Sequence, residues 1–349
     1  MSKADILNLS RDEIASALTA LGEPAWRADQ IVKWLGEGCG FDEMTNLPQK
    51  LRAMLGERFE ISVPKTQKKL VSALDGTVKY LFEYSDGQRI ESVVMKYKHG
   101  NTVCISTQAG CRMGCRFCAS NEGGFARNLS AAELLGQTLA VYRDIGERIS
   151  NIVLMGIGEP LDNYDNVIAF LRKITGPDSL CIGARHISLS TCGVADMIKK
   201  LAGEGLQITL SVSLHACKDE ARSALMPVNR KFNIDALLCA CRDYFAATGR
   251  RISFEYALIS GVNDSHADAA ALSALLRKYF GRNMPFHVNL IPVNEVPGRP
   301  YEASAAGQRF AAKLIESGVN ATVRRRLGSD INASCGQLRA ESARQGEPL

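Results

Sequence analysis

No apolar run in this 349-residue chain approaches the ~18 residues that a bilayer-spanning helix needs, so a helical membrane protein is not expected. The opening residues, MSKADILNLSRDE, hold no apolar stretch of the kind that drives secretion, and the expected compartment is the cytoplasm. Charge of one sign is also scarce. A net charge of +5 permits a nucleic-acid partner without demanding one. No repeat or low-complexity tract stands out, and 46% apolar with 23% charged residues is the composition of a folded globular chain, not a disordered, collagenous or coiled-coil one. What the chain does have is eleven cysteines, an odd number. A reducing compartment disfavours a disulfide framework, so these thiols point to metal binding or catalysis.

Residues 1–64 carry helical punctuation. Ser10 reads as the N-cap of a stretch stopped by Gly22, a second amphipathic stretch covers 25–35, and a third near 47–59 is entered through Pro48. In 65–98 the β-rich runs LVSAL, TVKYLFEY and RIESVVMKY are separated by Asp75-Gly76 and Asp86-Gly87, dipeptides that tolerate positive φ and mark hairpins. A small antiparallel sheet is expected there. From Thr102 on, apolar strands (TVCIST, NIVLMG, HISLS, QITLSVS, ISFEYAL, FHVNLI, ATVRR) alternate with helical stretches over 131–142, 167–173, 234–247, 267–279 and 305–318. This alternation predicts an α/β fold of βα units around a mainly parallel sheet, open or curled into a barrel, with functional residues at the C-terminal strand ends. The tail after Leu338 is expected to fray.

Cys111, Cys115 and Cys118 stand in one loop directly after the first of these strands. No second C-x2-C and no neighbouring Cys–His pair completes a zinc knuckle. Three close thiolates without a fourth suit a cubane iron–sulfur cluster with one iron left open for a substrate or cofactor. The alternatives are a zinc site completed by a distant residue, or three core thiols. Four further segments sit where a βα architecture puts ligands: Met155 to Pro160 with its glycines and Glu159, Ser190-Thr191, Ser213-Leu214-His215, and Asn294.

The C-x3-C-x2-C spacing with Phe117 before the last cysteine resembles the signature of the radical S-adenosylmethionine superfamily. With HGNTVCISTQAGCRMGCRFCAS, MGIGEPLDNYDNV, SLHA, LMPVN, FEYALISGVND, HVNLIPVN and GSDINASCGQL, the chain from about Leu21 to Leu338 resembles the RlmN family, dual-specificity adenine-C2 methyltransferases of 23S rRNA and tRNA. The resemblance implies a partial (β/α)6 TIM-like barrel over 99–338, an N-terminal helical RNA-binding region over 1–64, an antiparallel β extension over 65–98 and a tail over 339–349. It implies that Cys111, Cys115 and Cys118 bind a 4Fe–4S cluster, and that Gly158, Glu159, Ser190, Ser213, Leu214, His215 and Asn294 line an S-adenosylmethionine site. Cys335 matches the cysteine that becomes S-methylated, Cys104 the partner that forms a transient disulfide with it, and Glu91 the proton acceptor. Where the family has D-I-D-A-A-C, this chain reads D-I-N-A-S-C.

Adenine C2 is an electron-poor sp2 carbon, so direct nucleophilic attack on a sulfonium methyl is implausible. The resemblance implies two S-adenosylmethionine molecules per product. One methylates Cys335. The other yields a radical that takes hydrogen from that methyl group, whose carbon then adds to C2. The implied targets are adenosine 2503 of 23S rRNA and adenosine 37 of some tRNAs, the implied reductant a carrier such as flavodoxin or ferredoxin, and the implied state a monomer. Arg324 to Arg326, Arg112, Arg116, Arg127, the Lys65/Lys68/Lys69 group and the region of Trp26-Arg27 are candidate RNA contacts. A Cfr-like enzyme acting on adenine C8 and a zinc-stabilised RNA-binding protein without catalysis are the competing readings. Cys39, Cys181, Cys192, Cys217, Cys239 and Cys241 have no assigned role beyond packing.

Overall fold

The apolar strands lie side by side, in sequence order, in one ten-stranded sheet. The computed structural model describes residues 3–281, 284–333 and 336–344; Cys335 lies outside them. The sheet begins with β1 (Lys65–Val71), β2 (Val78–Glu83), β3 (Arg89–Tyr97) and β4 (Gly100–Cys104), an antiparallel meander whose first two connections contain the Asp-Gly dipeptides. From β4 onward every pairing is parallel, through β5 (Ile149–Leu154), β6 (Ile187–Thr191), β7 (Thr209–Ser213), β8 (Ile252–Leu258), β9 (Phe286–Pro292) and a short β10 (Ala321–Val323). Crossovers that always step to the next strand wind in one direction, which makes this a partial barrel with its helices outside. The three-residue β10 is the expected ATVRR strand, a seventh parallel strand beside the six that a (β/α)6 barrel counts.

The N-terminal helices α1 (Arg11–Ala20), α2 (Arg27–Gly36) and α3 (Gln49–Arg58) precede the sheet. A capping box starts α1, with Ser10 Oγ accepting from the Glu13 N–H and Glu13 accepting from the Ser10 N–H. Their buried faces (Ile14, Leu18, Ile31, Leu35, Leu51, Leu55) share one continuous core with α4 (Ala131–Ile145), the first barrel helix. At Gly136 on α4 a Cβ would stand 1.8 Å from the Ser62 carbonyl oxygen, so only glycine lets the segment linking α3 to the sheet cross so closely.

The remaining helices are α5 (Tyr164–Thr175), α6 (Ala195–Ala202), α7 (Asp219–Leu225), α8 (Ile234–Thr248), α9 (His266–Phe280), α10 (Gly307–Glu316) and α11 (Gln337–Arg344). Neither α6 nor α7 was expected; at eight and seven residues they are too short for a helical period to stand out. Of the tail after Leu338, expected to fray, residues 339–344 continue α11 instead, because two backbone N–H groups at the helix start donate to the buried Glu91 carboxylate; residues 345–349 lie outside the described residues. Among the described residues no helix is long and apolar enough to cross a membrane.

Candidate active site

A cavity of about 250 Å³ opens at the C-terminal ends of the parallel strands, and Cys111, Cys115 and Cys118 all line it. Their loop leaves β4 through a short antiparallel pairing of Gln108–Gly110 with Phe125–Asn128. Backbone ties then fix it. The Arg116 N–H donates to the Leu225 carbonyl at 2.9 Å, the Cys118 N–H to the Cys115 carbonyl at 3.1 Å, and Arg299 Nη1 to the Arg116 carbonyl at 2.6 Å. Met113, Cys115 and Phe117 pack on Cys192, Leu225, Met226, Ile259 and Val293. Burial, reinforced by the neighbouring thiols, pushes the Cys115 thiol well above its ordinary range, and burial takes Cys111 up to about 12. These are soft donors that only a cationic centre would hold as thiolates. Among the described residues no trio of His, Cys, Asp or Glu surrounds a single-ion point.

Six of the seven residues expected to bind S-adenosylmethionine line the same cavity: Gly158, Glu159, Ser190, Ser213, His215 and Asn294. Gly158 has φ +108°, and a Cβ there would meet Gln108 Cβ at 2.7 Å and Gln108 N at 2.8 Å. The backbone thus presses against the strand that leads into the cysteine loop. Glu159 is buried, with Oε1 accepting from the Leu161 N–H at 3.0 Å and Oε2 from the Cys192 N–H at 2.7 Å; burial raises its pKa. His215 adopts φ +58° and sits edge-on to Phe117. Burial, with Arg222 acting in the same sense, lowers its pKa to about 3, so the ring is neutral. Since His215 Nδ1 accepts from the Ala257 N–H at 2.9 Å, the proton must sit on Nε2, which makes that nitrogen a donor. Leu214 differs from its neighbours. Its side chain is in the hydrophobic core, it does not line the cavity, and its backbone is engaged within the protein, the N–H donating to the Glu255 carbonyl and the carbonyl accepting from Arg222 Nε.

Three groups at this site were not anticipated. Glu255, in register with Ser213 and Asn289 across β7 to β9, is a buried carboxylate in the cavity wall, held by Ser253 Oγ at 3.0 Å and Asn289 Nδ2 at 2.7 Å. Burial raises its pKa. Its signal was the one charge in ISFEYAL. Cys192, expected only to pack, also lines the cavity, and Arg222 lies fully buried behind it.

Glu91 and Cys104 belong to a neighbouring seat. Cys104 is buried and packs with Val93, Met95, Val153, Met155, Leu327 and Ala333. Beside it a pocket of about 100 Å³, lined by Val93, Met95, Leu327, Ala333 and Arg324 to Arg326, shares Ile291, Asn294 and Arg324 with the main cavity. Glu91 is buried 3.1 Å from Lys79 Nζ and accepts from the Gly336 N–H at 2.9 Å and the Arg339 N–H at 2.6 Å. Lys79 Nζ also donates to the Asn332 carbonyl at 3.0 Å. Asp330 accepts from Ser72 Oγ and the Ala73 N–H, while Asp75 accepts from the Gly328 N–H. The antiparallel strands thus grip the chain on both sides of Cys335.

The basic candidates divide. Arg324 to Arg326 flank the small pocket. Arg127 is instead committed to Asp86 and, through both terminal nitrogens, to Glu133; Arg112 pairs with Asp162 at 2.8 Å, and Lys69 with Asp144 at 2.6 Å.

Residues 105–273 match the family model of the radical SAM superfamily, and residues 4–61 that of the ribosomal RNA large subunit methyltransferase N-terminal domain. The chain is 50% identical over 339 residues to a probable dual-specificity RNA methyltransferase RlmN of Clostridium novyi, covering 96% of this chain and 97% of that one. It is 52% identical over 342 residues to its namesake in Alkaliphilus oremlandii, covering 97% and 98%. A crystal structure of a radical SAM methyltransferase from Sphaerobacter thermophilus superposes with a TM-score of 0.90 at 42% identity, covering 97% of this chain and 99% of that one.

Proposed function

Because the chain belongs to the RlmN family of radical S-adenosylmethionine RNA methyltransferases, we propose that it methylates C2 of a target adenine in 23S rRNA and in tRNA through a methyl group carried on Cys335. Its cofactors are a 4Fe–4S cluster and S-adenosylmethionine. The residues fit both. Cys111, Cys115 and Cys118 would hold the cluster, Gly158, Glu159, Ser190, Ser213, His215 and Asn294 would hold S-adenosylmethionine, and Leu214 would set the turn between Ser213 and His215 through its backbone bonds. When bound, this pair supplies a one-electron cleavage that yields a hydrogen-abstracting radical.

The chain's own residues do the rest. The cavity walls keep water from the reacting atoms, the close packing of Gly158 on Gln108 holds the turn that lines the cavity, Glu159 accepts from an ammonium group and His215 Nε2 donates. Cys335 takes up the methyl group and later joins the base through it. Glu91 removes the C2 proton, which requires it to exchange one of the partners that now occupy its oxygens. With the adduct's odd electron returned to the one-electron centre that would occupy the cavity, Cys104 attacks the Cys335 sulfur; the S–S bond forms as the S–C bond breaks, the departing methylene carbon takes the bonding pair and the proton that the Cys104 thiol gives up to become the product methyl group, and an external dithiol reductant restores both thiols. We read Arg324 to Arg326 and the helices of residues 1–64 as the RNA-holding surfaces, a carrier such as flavodoxin or ferredoxin as the electron source, and a cytoplasmic monomer as the working state.

The observation that supports this reading most is the common wall. The cavity of the three thiols and the pocket beside Cys104 share Ile291, Asn294 and Arg324, so chemistry begun in one can be finished in the other. Cys104→Ala protein, given RNA and S-adenosylmethionine under reducing conditions, is expected to accumulate a covalent protein–RNA adduct. Wild-type turnover by that variant would refute the resolving role. Mass spectrometry and NMR of the product nucleoside test the carbon attacked, and methylation at C8 would overturn C2.

A further inference from the structure

A buried cation that the mechanism above does not use lies behind the cavity wall. Arg222, on α7, is fully excluded from solvent. Its guanidinium donates to four neutral acceptors: Nε to the Leu214 carbonyl at 3.1 Å, Nη1 to Asn229 Oδ1 at 2.9 Å, and Nη2 to the carbonyls of Cys192 at 2.7 Å and Ser213 at 2.9 Å. These dipoles satisfy its N–H groups but leave a full unit of charge in the interior. The carboxylate of Asp219 is reached only through Asn229, whose Nδ2 donates to Asp219 Oδ1 at 3.0 Å. Interior charges of this kind are costly unless an opposite charge lies near.

The opposite charge belongs on the other side of the wall. Cys192 and Ser213, whose carbonyls Arg222 grips, line the cavity together with Cys111, Cys115 and Cys118. Cys115 packs on Leu225 and Met226, one helical turn beyond Arg222, and the Arg116 N–H is bonded to the Leu225 carbonyl. A cubane cluster with three thiolates carries net negative charge, which grows by one on reduction. In a poorly solvated site a fixed cation favours the more negative state.

We propose that Arg222 is the internal counter-charge of the cluster, placed so that one-electron reduction becomes more favourable. The inference rests on the reading that Cys111, Cys115 and Cys118 hold that cluster. Arg222 touches neither cluster nor substrate and acts through charge across the wall. Because its hydrogen bonds also fix the ends of β6 and β7, the test must separate charge from scaffolding, and the midpoint potential does so.

The experiment is a redox titration of the anaerobically reconstituted full chain, poised with dithionite and mediators and read by electron paramagnetic resonance. In Arg222→Gln the reduced-to-oxidised ratio at a given potential is expected to fall at least tenfold, a midpoint lower by about 59 mV for one electron. Arg222→Lys keeps the charge and is expected to stay within threefold of wild type. If Arg222→Gln does not fold, the double variant Asn229→Asp/Asp219→Asn replaces it: it moves the carboxylate from position 219 to the acceptor 2.9 Å from the guanidinium without setting two carboxylates 3.0 Å apart, with the same downward shift. A charge-neutralising variant that retains its iron yet titrates within twofold of wild type overturns the proposal. So does an Arg222→Lys shift as large as that of Arg222→Gln, which would make the effect one of shape. A wild-type chain that binds no iron, or a Cys118→Ala chain that keeps its full complement, overturns the cluster reading itself, and does so in the iron assay before any potential is measured.

Discussion

Replacing Lys79 with methionine removes one partner of a buried ion pair and at the same time a donor to the segment before Cys335. Lys79 and Glu91 are both excluded from solvent and stand 3.1 Å apart. Breaking such a pair by deleting one side costs about 3–5 kcal/mol, because the remaining charge stays buried without compensation. Here Glu91 keeps the N–H groups of Gly336 and Arg339, bonds to a charged acceptor worth about 1.5–3 kcal/mol each. The expected loss therefore lies at the low end, about 3 kcal/mol, more than a hundredfold in the unfolding equilibrium. Urea unfolding of cluster-free protein, followed by circular dichroism, reads this as a lower midpoint at unchanged slope. The double variant Lys79→Met/Glu91→Gln removes the stranded charge and should recover about half of the loss or more. Methyl transfer should fall in both, at temperatures where both are folded, because Asn332 has lost its anchor. A single variant that loses less than about 1 kcal/mol, or a double variant no better than the sum of the singles, would refute the account of a buried pair holding the loop.

His215, neutral in the fold with a pKa near 3 against an ordinary 6.5, gives a pH dependence of fixed sign. The unfolded chain takes up a proton below about 6.5 that the fold refuses, so the contribution is complete above that pH and is lost as pH falls toward 3. Between pH 7 and pH 5 this amounts to about 2 kcal/mol. Burial raises Glu159 and Glu255, which act in the opposite sense, so the quantity to measure is the difference in slope between wild type and His215→Asn; equal slopes would mean that the buried ring is protonated. Gly158→Ala places a methyl group 2.7 Å from Gln108 Cβ at φ +108°, with strain of about 1–3 kcal/mol, and should weaken S-adenosylmethionine binding at least tenfold in equilibrium dialysis. Unchanged affinity there would show that the ligand does not lie against this turn.

The parts of the fold that were legible are those written in local periodicity. Alternation of apolar strands with helical stretches foretold the parallel sheet, and the Asp-Gly dipeptides at 75–76 and 86–87 foretold the meander. Six of the seven cofactor candidates at the strand ends line one cavity, while Leu214 turns its side chain into the core. The rest depends on contacts that no local pattern records. Glu91 meets Gly336 and Arg339 across separations of 245 and 248 residues, and Asp330 meets Ser72 across 258. Arg222 looks like a surface residue of a short helix until the cavity wall is in place.

One trace of these contacts does stand in the sequence. TVKYLFEY, RIESVV and ISFEYAL each carry a charge inside an apolar strand, and a strand with one face in the core and the other in water would tolerate Lys79 or Glu91 only on its wet face. In the sheet Tyr80 and Phe82 take the core face of β2, while Lys79 sits on the opposite face, diagonal to Glu91 on β3. That face is not wet. The polar loop around Asn332 and the start of α11 cover it, which is why a lysine and a glutamate are both buried there and why each must satisfy the other. Glu255 follows the same logic on the cavity side, its carboxylate held by Ser253 and Asn289. A charge that breaks an apolar strand therefore marks a face covered by something other than hydrophobic core. In this chain the covering elements are the loop that leads to Cys335 and the cavity of the cysteine cluster.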